Sequence, residues 1–140
     1  FYARHALSCL IGGRPLAFRI ACPFDNVPEW QPWWAGPDPQ AFPLVDFMPV
    51  LHDDRLDIAI LNRDPERSLP ITIDLGGLRL EAEATLIEIS GESPMTENTL
   101  RERERVHPRE SRLQVPPPGT PMVLQAKPVS VLLVSIPRLP

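Results

Sequence analysis

Residues 84–100 read ATLIEISGESPMTENTL, and this stretch is the strongest local indicator of the fold. Its first half alternates polar and apolar side chains, which is typical of a β-strand. The alternation ends at Gly91, and a polar loop then leads through Glu97, Asn98 and Thr99 to a charged segment closed by His107 and a proline. The stretch therefore predicts a strand followed by a long connection, as in an all-β domain.

The same alternation recurs along the chain between turn residues. Leu16, Phe18 and Ile20 alternate after Pro15 and predict a strand there. Further strands are predicted at residues 42–50, 55–62, 71–75, 78–90, 112–115, 122–126 and 129–136. A bulge or bend is predicted near Thr85, where the polar face changes side. This spacing of short strands predicts an antiparallel β-sandwich that is jelly-roll-like.

Three of these segments carry more detailed predictions. The strand at 55–62 places Leu56, Ile58 and Ile60 on one face, and its short connection to the preceding strand favours an antiparallel hairpin. The strand at 129–136 is almost continuously apolar, which predicts that both of its faces are covered. Residues 1–8 contain no glycine or proline and predict a short helix before Gly12.

Composition and charge restrict the possible functions. The chain has 140 residues, enough for one domain with its own core. A net charge of -4 argues against nucleic acid or an anionic membrane as a partner. No apolar run reaches the roughly 18 residues of a membrane span. No signal peptide is visible, so a cytoplasmic location is favoured, although a start at Phe1 indicates a fragment or a processed product.

No residue pattern predicts a catalytic, metal or cofactor site in this chain. Asp53 with Asp54, and Glu81 with Glu83, are interpreted as a solvated turn and an exposed strand face. His5 and Cys9 have the i, i+4 spacing of helical neighbours, but no oxyanion hole accompanies them. The histidines and cysteines lack zinc-ligand spacing. Cys9 and Cys22 are interpreted as unpaired thiols, with a disulfide as the alternative.

One segment and three polar residues are candidates for particular roles. The proline-rich segment at 23–41 carries Trp30, Trp33 and Trp34. Indole rings stack on sugars, but aromatic residues also dominate protein interfaces, and the interface interpretation is favoured. Asp46, Asn62 and Asn98 are predicted to be structural, with Asn98 expected to hydrogen-bond the backbone of its own turn.

The stretch at 84–108 resembles a passage near the C-terminus of family fifty-one α-L-arabinofuranosidases, which reads strand, glycine, acidic loop, Glu-Asn-Thr and then Val-x-Pro. Further segments resemble that family in the same order: Phe1–His5, Ile20–Asp25, Phe42–Asp46, Leu56–Arg63 and Pro70–Leu75. In the family, the first of these closes the catalytic β/α barrel. The resemblance therefore implies that residues 1–14 end the barrel and its linker, and that 15–140 form a C-terminal β-sandwich.

The resemblance also implies a function for the parent protein. Family members are retaining enzymes that remove arabinofuranosyl residues from arabinan or arabinoxylan fragments, and their catalytic glutamates lie on barrel strands. Because those strands precede Phe1, no catalytic residue is assigned and the chain alone is expected to be inactive. Its implied partners are a catalytic barrel, in the same or an associated polypeptide, and further subunits in a homo-oligomer. The alternative is an independent carbohydrate-binding module that uses the three tryptophans.

Overall fold

The structure is a computed structural model that describes residues 2–26, 41–93 and 95–140. A short helix, α1 (Tyr2–Leu7), and one turn of 3-10 helix (Ser8–Leu10) open the chain. The strands that follow are β1 (Arg14–Pro15), β2 (Phe24–Asn26), β3 (Ala41–Pro43), β4 (Val45–Leu51), β5 (Arg55–Asn62), β6 (Leu69–Ile73), β7 (Glu83–Ile89), β8 (Pro108–Gln114), β9 (Met122–Ala126) and β10 (Ser130–Pro137). The predicted all-β class with a short N-terminal helix is confirmed. None of the described helices is long and apolar enough to cross a bilayer.

Six strands form the main sheet in the order β1-β4-β5-β10-β7-β8. Every neighbouring pair in it is antiparallel, and the predicted hairpin joins β4 to β5 with Leu51 opposite Leu56. β6 and β9 form a second layer, and β2 pairs with β3 separately. β10 lies between β5 and β7, so Leu132 and Leu133 point to opposite faces and are both buried. The prediction that this strand is covered on both sides is therefore confirmed.

The hydrophobic core lies between the inner face of the main sheet and the β6-β9 pair. Leu56, Ile58 and Ile60 share that face as predicted, and each is at most 1% exposed. The other buried members of the core are Val45, Ile73, Ala84, Met122, Leu124, Ala126, Leu132, Val134 and Ile136. Burying a large aliphatic side chain contributes roughly 1.5–3 kcal/mol before the entropy of ordering is subtracted. The period-two alternation of the strands therefore provides the main stabilisation.

One strand prediction is wrong, and one of the two alternatives in another is excluded. Residues 16–23 form no strand: the Leu16 amide donates to the Pro49 carbonyl at 3.0 Å, and pairing then stops. Pro49 has no N–H to donate in return, so the ladder cannot continue past β1. Near Thr85 a bulge or a bend was expected. The bulge is absent from β7, which pairs residue for residue with β8 through Glu83–Ile89, and a bend occurs at Ala82, just before β7. Thr85 instead lies opposite the polar Ser135 of β10, so the change in polarity needs no bulge.

Asn62 closes one end of the core with a buried hydrogen-bond network. Its Nδ2 donates to the carbonyls of Arg67, Ala126 and Lys127 at 3.0, 3.1 and 2.8 Å. Its Oδ1 accepts from the Asp64 amide at 2.9 Å. Two N–H groups serve three acceptors, so one bond is shared. The side chain thereby joins β5, the turn after it and the connection from β9 to β10, where the Lys127 carbonyl also accepts from Ser130 Oγ at 2.7 Å.

Asp64 extends this network and is itself 2% exposed. Its Oδ1 accepts from the Glu66 amide at 2.9 Å and the Arg67 amide at 2.8 Å, and Arg67 Nε donates to Oδ2. The Asp64 carbonyl accepts from the amide of Val129, a β-branched residue at a φ of 45°. That left-handed conformation is strained for valine, and a well-bonded surrounding is needed to hold it.

Acid should destabilise the protein through the carboxylate network. The Glu66 amide, followed by Arg67, lowers the pKa of Asp64 against the opposing effect of burial. Burial raises the pKa of Glu88, but hydrogen bonds from Lys127 and Ser90 prevail and lower it. A carboxyl with a lowered pKa stabilises the fold above its unfolded pKa, near 4, and this stabilisation is lost as the pH falls through the folded pKa. Urea unfolding at pH 7 and at pH 3 should show the loss.

The matched variant for this pH experiment is Asp64→Asn. It removes the titrating carboxyl but keeps an oxygen acceptor for the two turn amides. The variant should be less stable than the parent at pH 7, and the difference should shrink at pH 3. A difference that stayed constant across this range would contradict the assignment of Asp64 as an acid-sensitive group.

Candidate interaction surface

An apolar groove of about 630 Å³ opens on the side of the sandwich that β6 and β9 do not cover. One wall is the extended segment 16–23, the floor is the inner face of β4 and β5, and the other wall is β6 with the residues after it. Among the lining residues only Arg19 and Asp74 carry a charge. The groove exists because, in the described part of the chain, a six-stranded sheet faces a layer of two strands.

Both walls of the groove present groups that a folded protein normally covers. Phe18 and Ile20 are 49% and 45% exposed, and the Phe18 ring packs against Phe47 on the floor at 5.3 Å between centroids. Among the described residues β6 pairs with β9 alone, so its other edge is unpaired and faces the groove. Contiguous exposed apolar surface beside a free strand edge is typical of a protein interaction site.

One outer edge of the main sheet, which no other described strand joins, differs from the β6 edge in its charges. β8 forms that edge, and its sequence includes Arg109, Glu110 and Arg112, all of which are exposed. Charged side chains on an edge strand discourage pairing with another chain. The β6 edge, in contrast, carries no charge from Leu69 to Ile73. The two edges therefore differ in how readily they would accept a further strand.

Within the described residues, the groove offers no pair of acids for glycoside hydrolysis. That reaction uses two carboxyl groups, roughly 5–5.5 Å apart in retaining enzymes and farther apart in inverting ones. Asp74 is the single acid among the lining residues of the groove. Asp53 and Asp54 lie exposed in the β4–β5 turn, and Glu83 faces Arg112 on the surface at 3.5 Å. Within the same residues no group of three potential metal ligands occurs.

Cys9 does not have the properties of a nucleophile. Burial, the charge of Asp57 and a hydrogen bond to that carboxylate raise the pKa of its thiol to about 11, although Arg55 acts in the opposite direction. A nucleophilic cysteine needs a lowered pKa, because the thiolate is the reactive form. Cys9 and Cys22 are both free thiols and half-buried. The side chain whose charge raises the pKa of Cys9 is Asp57, which the spacing of His5 and Cys9 did not indicate.

Two of the residues predicted to be structural lie on the surface. Asp46 is half-buried and accepts a hydrogen bond from Arg63. Asn98 does not bond within its own turn: its side chain donates to the Val106 carbonyl and accepts from the Val106 amide, both at 2.7 Å. Asn98 therefore closes an exposed loop across eight residues. Trp30, Trp33 and Trp34 lie outside the described residues.

The groove itself was not predicted from the sequence. The alternation of Leu16, Phe18 and Ile20 predicts a strand, whereas these residues line a wall that no described strand joins. The available signal was the pair of flanking prolines, Pro15 and Pro23, which restrict where a ladder can form. The floor residues were predicted correctly as buried apolar positions. That they are only partly covered follows from the number of strands in each layer, which the sequence pattern does not reveal.

Solved structures of glycoside hydrolases share this fold. The arabinose complex of the α-L-arabinofuranosidase from Thermotoga maritima matches 71% of this chain and 21% of its own, with a TM-score of 0.61 and 22% identity. A family 51 α-L-arabinofuranosidase from Bifidobacterium longum matches 84% of this chain and 21% of its own, with a TM-score of 0.64 and 21% identity. The expected resemblance to this family is confirmed at the level of the fold.

The fold also occurs beside other activities. CelM2, a bifunctional glucanase-xylanase from a metagenome library, matches 72% of this chain at a TM-score of 0.52 and 18% identity. No protein-family model and no curated protein matches the sequence. The chain spans about a fifth of the length of the solved structures that it matches.

Proposed function

We propose that this chain is the C-terminal, non-catalytic β-sandwich of an α-L-arabinofuranosidase, and that its groove packs against other parts of the enzyme. The observation that carries the proposal is the groove beside the unpaired edge of β6, in a fold shared with part of family 51 enzymes. An apolar wall with half-exposed Phe18 and Ile20 is suited to permanent burial against protein rather than to a polar sugar.

The proposal assigns a role to each part of the chain. Residues 1–14 would end the catalytic barrel and its linker, and residues 15–140 would form the sandwich. The barrel, in the same or an associated polypeptide, would supply both catalytic carboxyls and cleave terminal arabinofuranosyl residues from arabinan or arabinoxylan fragments with retention of configuration. The sandwich would cover the flank of the barrel and contribute to contacts between subunits. The proposal also includes that the strands of this sandwich are connected in the order of a jelly roll.

The competing function is an independent carbohydrate-binding module that uses Trp30, Trp33 and Trp34. Affinity electrophoresis of the chain in gels containing arabinan or arabinoxylan separates the two functions. Retardation that disappears when Trp33 and Trp34 are both replaced by alanine would favour the module. Unretarded migration is the result expected if these rings serve an interface.

The proposed function predicts that the purified chain has no hydrolase activity and that its groove binds apolar molecules and other copies of the chain. It should not turn over an aryl α-L-arabinofuranoside, because the proposal places both catalytic carboxyls on the barrel. It should bind an apolar dye such as ANS in the folded state and self-associate as its concentration rises. Ile20→Asp should reduce both dye binding and self-association, because it places a charge on the exposed wall of the groove.

The matched control is Val123→Asp. Val123 is also exposed, at 61%, but it lies on β9 and is not among the lining residues of the groove. This substitution should leave dye binding and self-association close to those of the parent. Measurable turnover by the chain alone, or equal effects of the two aspartates, would refute the proposed role.

A further inference from the structure

Asp57 is a fully buried carboxylate with partners from several parts of the chain. It lies on β5 with 0% exposure and faces away from the core formed with β6 and β9, on the outer face of the main sheet. Ser135 Oγ of β10 donates to its Oδ1 at 2.6 Å, and Arg55 Nε donates to its Oδ2 at 3.0 Å. His52 Nε2 lies 3.3 Å from Oδ2 without the alignment of a hydrogen bond. A buried charge is costly unless it is paired in this way.

The same carboxylate is linked through Arg55 to the segment by which the chain enters the sandwich. We call residues 8–15 the strap. In the strap, the Cys9 carbonyl accepts from Arg55 Nη2 at 3.5 Å, and the charge of Asp57 adds to burial in raising the pKa of the Cys9 thiol. The C-terminal end of the strap is β1, where Arg14 lies opposite Leu51. The strap is thus attached to the sheet at both of its ends.

Gly13 brings the middle of the strap against the sheet. A Cβ built at this position would lie 2.3 Å from Val50 Cγ1 and 2.7 Å from His52 Cε1. Real Cβ atoms do not approach other atoms so closely, and Val50 is 2% exposed and has little room to move. Only glycine therefore allows the strap backbone to lie against the end of β4 and the ring of His52.

Helix α1 precedes the strap and lies on the same side of the sheet. It packs against β10 and β7, and its Ala6 is 8% exposed. A six-residue helix is too short to be stable on its own in water. Its position therefore depends on this packing and on the attachment of the strap that follows it.

From these contacts we infer that Asp57 fastens the strap to the main sheet, so that α1 and the sandwich form one rigid junction element rather than two parts joined by a flexible linker. Asp57 is a positioning residue in this role: its bond to Arg55 Nε orients Arg55 toward the Cys9 carbonyl. The inference concerns contacts within this chain and does not depend on the proposed function.

The reactivity of Cys9 provides a direct readout of the attachment. In a Cys22→Ser background Cys9 is the single thiol, because the sequence has two cysteines. With the strap fastened, its thiol has a pKa of about 11 and alkylates slowly at pH 8. A free cysteine has a pKa near 8.5, and each pKa unit changes the thiolate fraction up to tenfold. Asp57→Asn should therefore accelerate alkylation by iodoacetamide by at least about tenfold.

Asp64→Asn is the matched control, since it alters a second buried aspartate beyond the opposite end of β5. It should destabilise the fold yet leave alkylation of Cys9 within about twofold of the Cys22→Ser parent under native conditions. Gly13→Ala keeps Asp57 intact and should also release the strap, with faster alkylation and faster hydrogen exchange at residues 8–13. This variant decides the matter if Asp57→Asn does not fold.

The result expected is faster alkylation in both strap variants and near-parental alkylation in the control. If Asp57→Asn and Gly13→Ala both alkylated at the rate of Asp64→Asn, the strap would not be fastened by these contacts. The inference would then be wrong. This outcome would not test the proposed function, because none of these variants changes a lining residue of the groove.

Discussion

Replacing Leu132 by alanine is expected to lower the free energy of unfolding by about 2–5 kcal/mol, the range for truncating a buried leucine. Leu132 is 0% exposed and lies on β10, between β5 and β7, in the core cluster. Removal of its side chain leaves a cavity that the paired strands on both sides cannot close. The midpoint of thermal unfolding should fall by about 10 °C, measured by circular dichroism or calorimetry.

The control for the core variant is Val123→Ala. Val123 also belongs to a strand, β9, but its side chain is 61% exposed. The truncation should cost less than about 1 kcal/mol, because surface substitutions of this kind remove few contacts. Similar losses for Leu132 and Val123 would mean that the assigned core is not the main source of stability.

Asn62→Ala is the second substitution expected to have a large effect, about 3 kcal/mol in the free energy of unfolding. Three carbonyls, those of Arg67, Ala126 and Lys127, lose their shared donor, and the Asp64 amide loses its acceptor. Asn62 is 2% exposed, so water cannot readily replace the lost bonds. Chemical unfolding followed by tryptophan fluorescence would give the difference.

Asn98→Ala tests whether burial sets the size of this effect. Asn98 makes two short hydrogen bonds to Val106, but it is exposed. Water can bond the released groups, so the loss should be about 1 kcal/mol or less. Hydrogen exchange at residues 99–106 should nevertheless increase, because the loop is no longer closed. A loss as large as that of Asn62→Ala would contradict the explanation.

The strand predictions succeeded where the alternating segment is both buried on one face and paired with neighbouring strands. The alternation of Leu56, Ile58 and Ile60 predicted a buried face, and the structure confirms it because both layers of the sandwich bury that face. The apolar run ending at Ile136 predicted a central strand for the same reason. Leu16, Phe18 and Ile20 show an equally regular alternation, yet they form a groove wall. A strand needs a partner that returns its hydrogen bonds, and Pro49 cannot do so.

Side-chain roles were harder to predict than strands. Asn62 was predicted to be structural, but its three carbonyl acceptors lie up to 65 residues away in the sequence. Asp57 has a stronger anomaly, an acid within an apolar strand, but its partner Ser135 is separated by 78 residues. Both bonds depend on which strands are neighbours and in what register. A shift of one residue would turn Asp57 toward the core.

The sequence by itself determined that this protein is all-β with a short N-terminal helix, because side-chain periodicity is a local property of the backbone conformation. The tertiary structure alone decided that six strands face two in the described residues, that β6 keeps an apolar edge there that no described strand joins, and that the entering strap is linked to Asp57 through Arg55. These features arise from contacts between distant segments. Such contacts form only where the whole chain makes burial and hydrogen bonding outweigh the loss of conformational entropy.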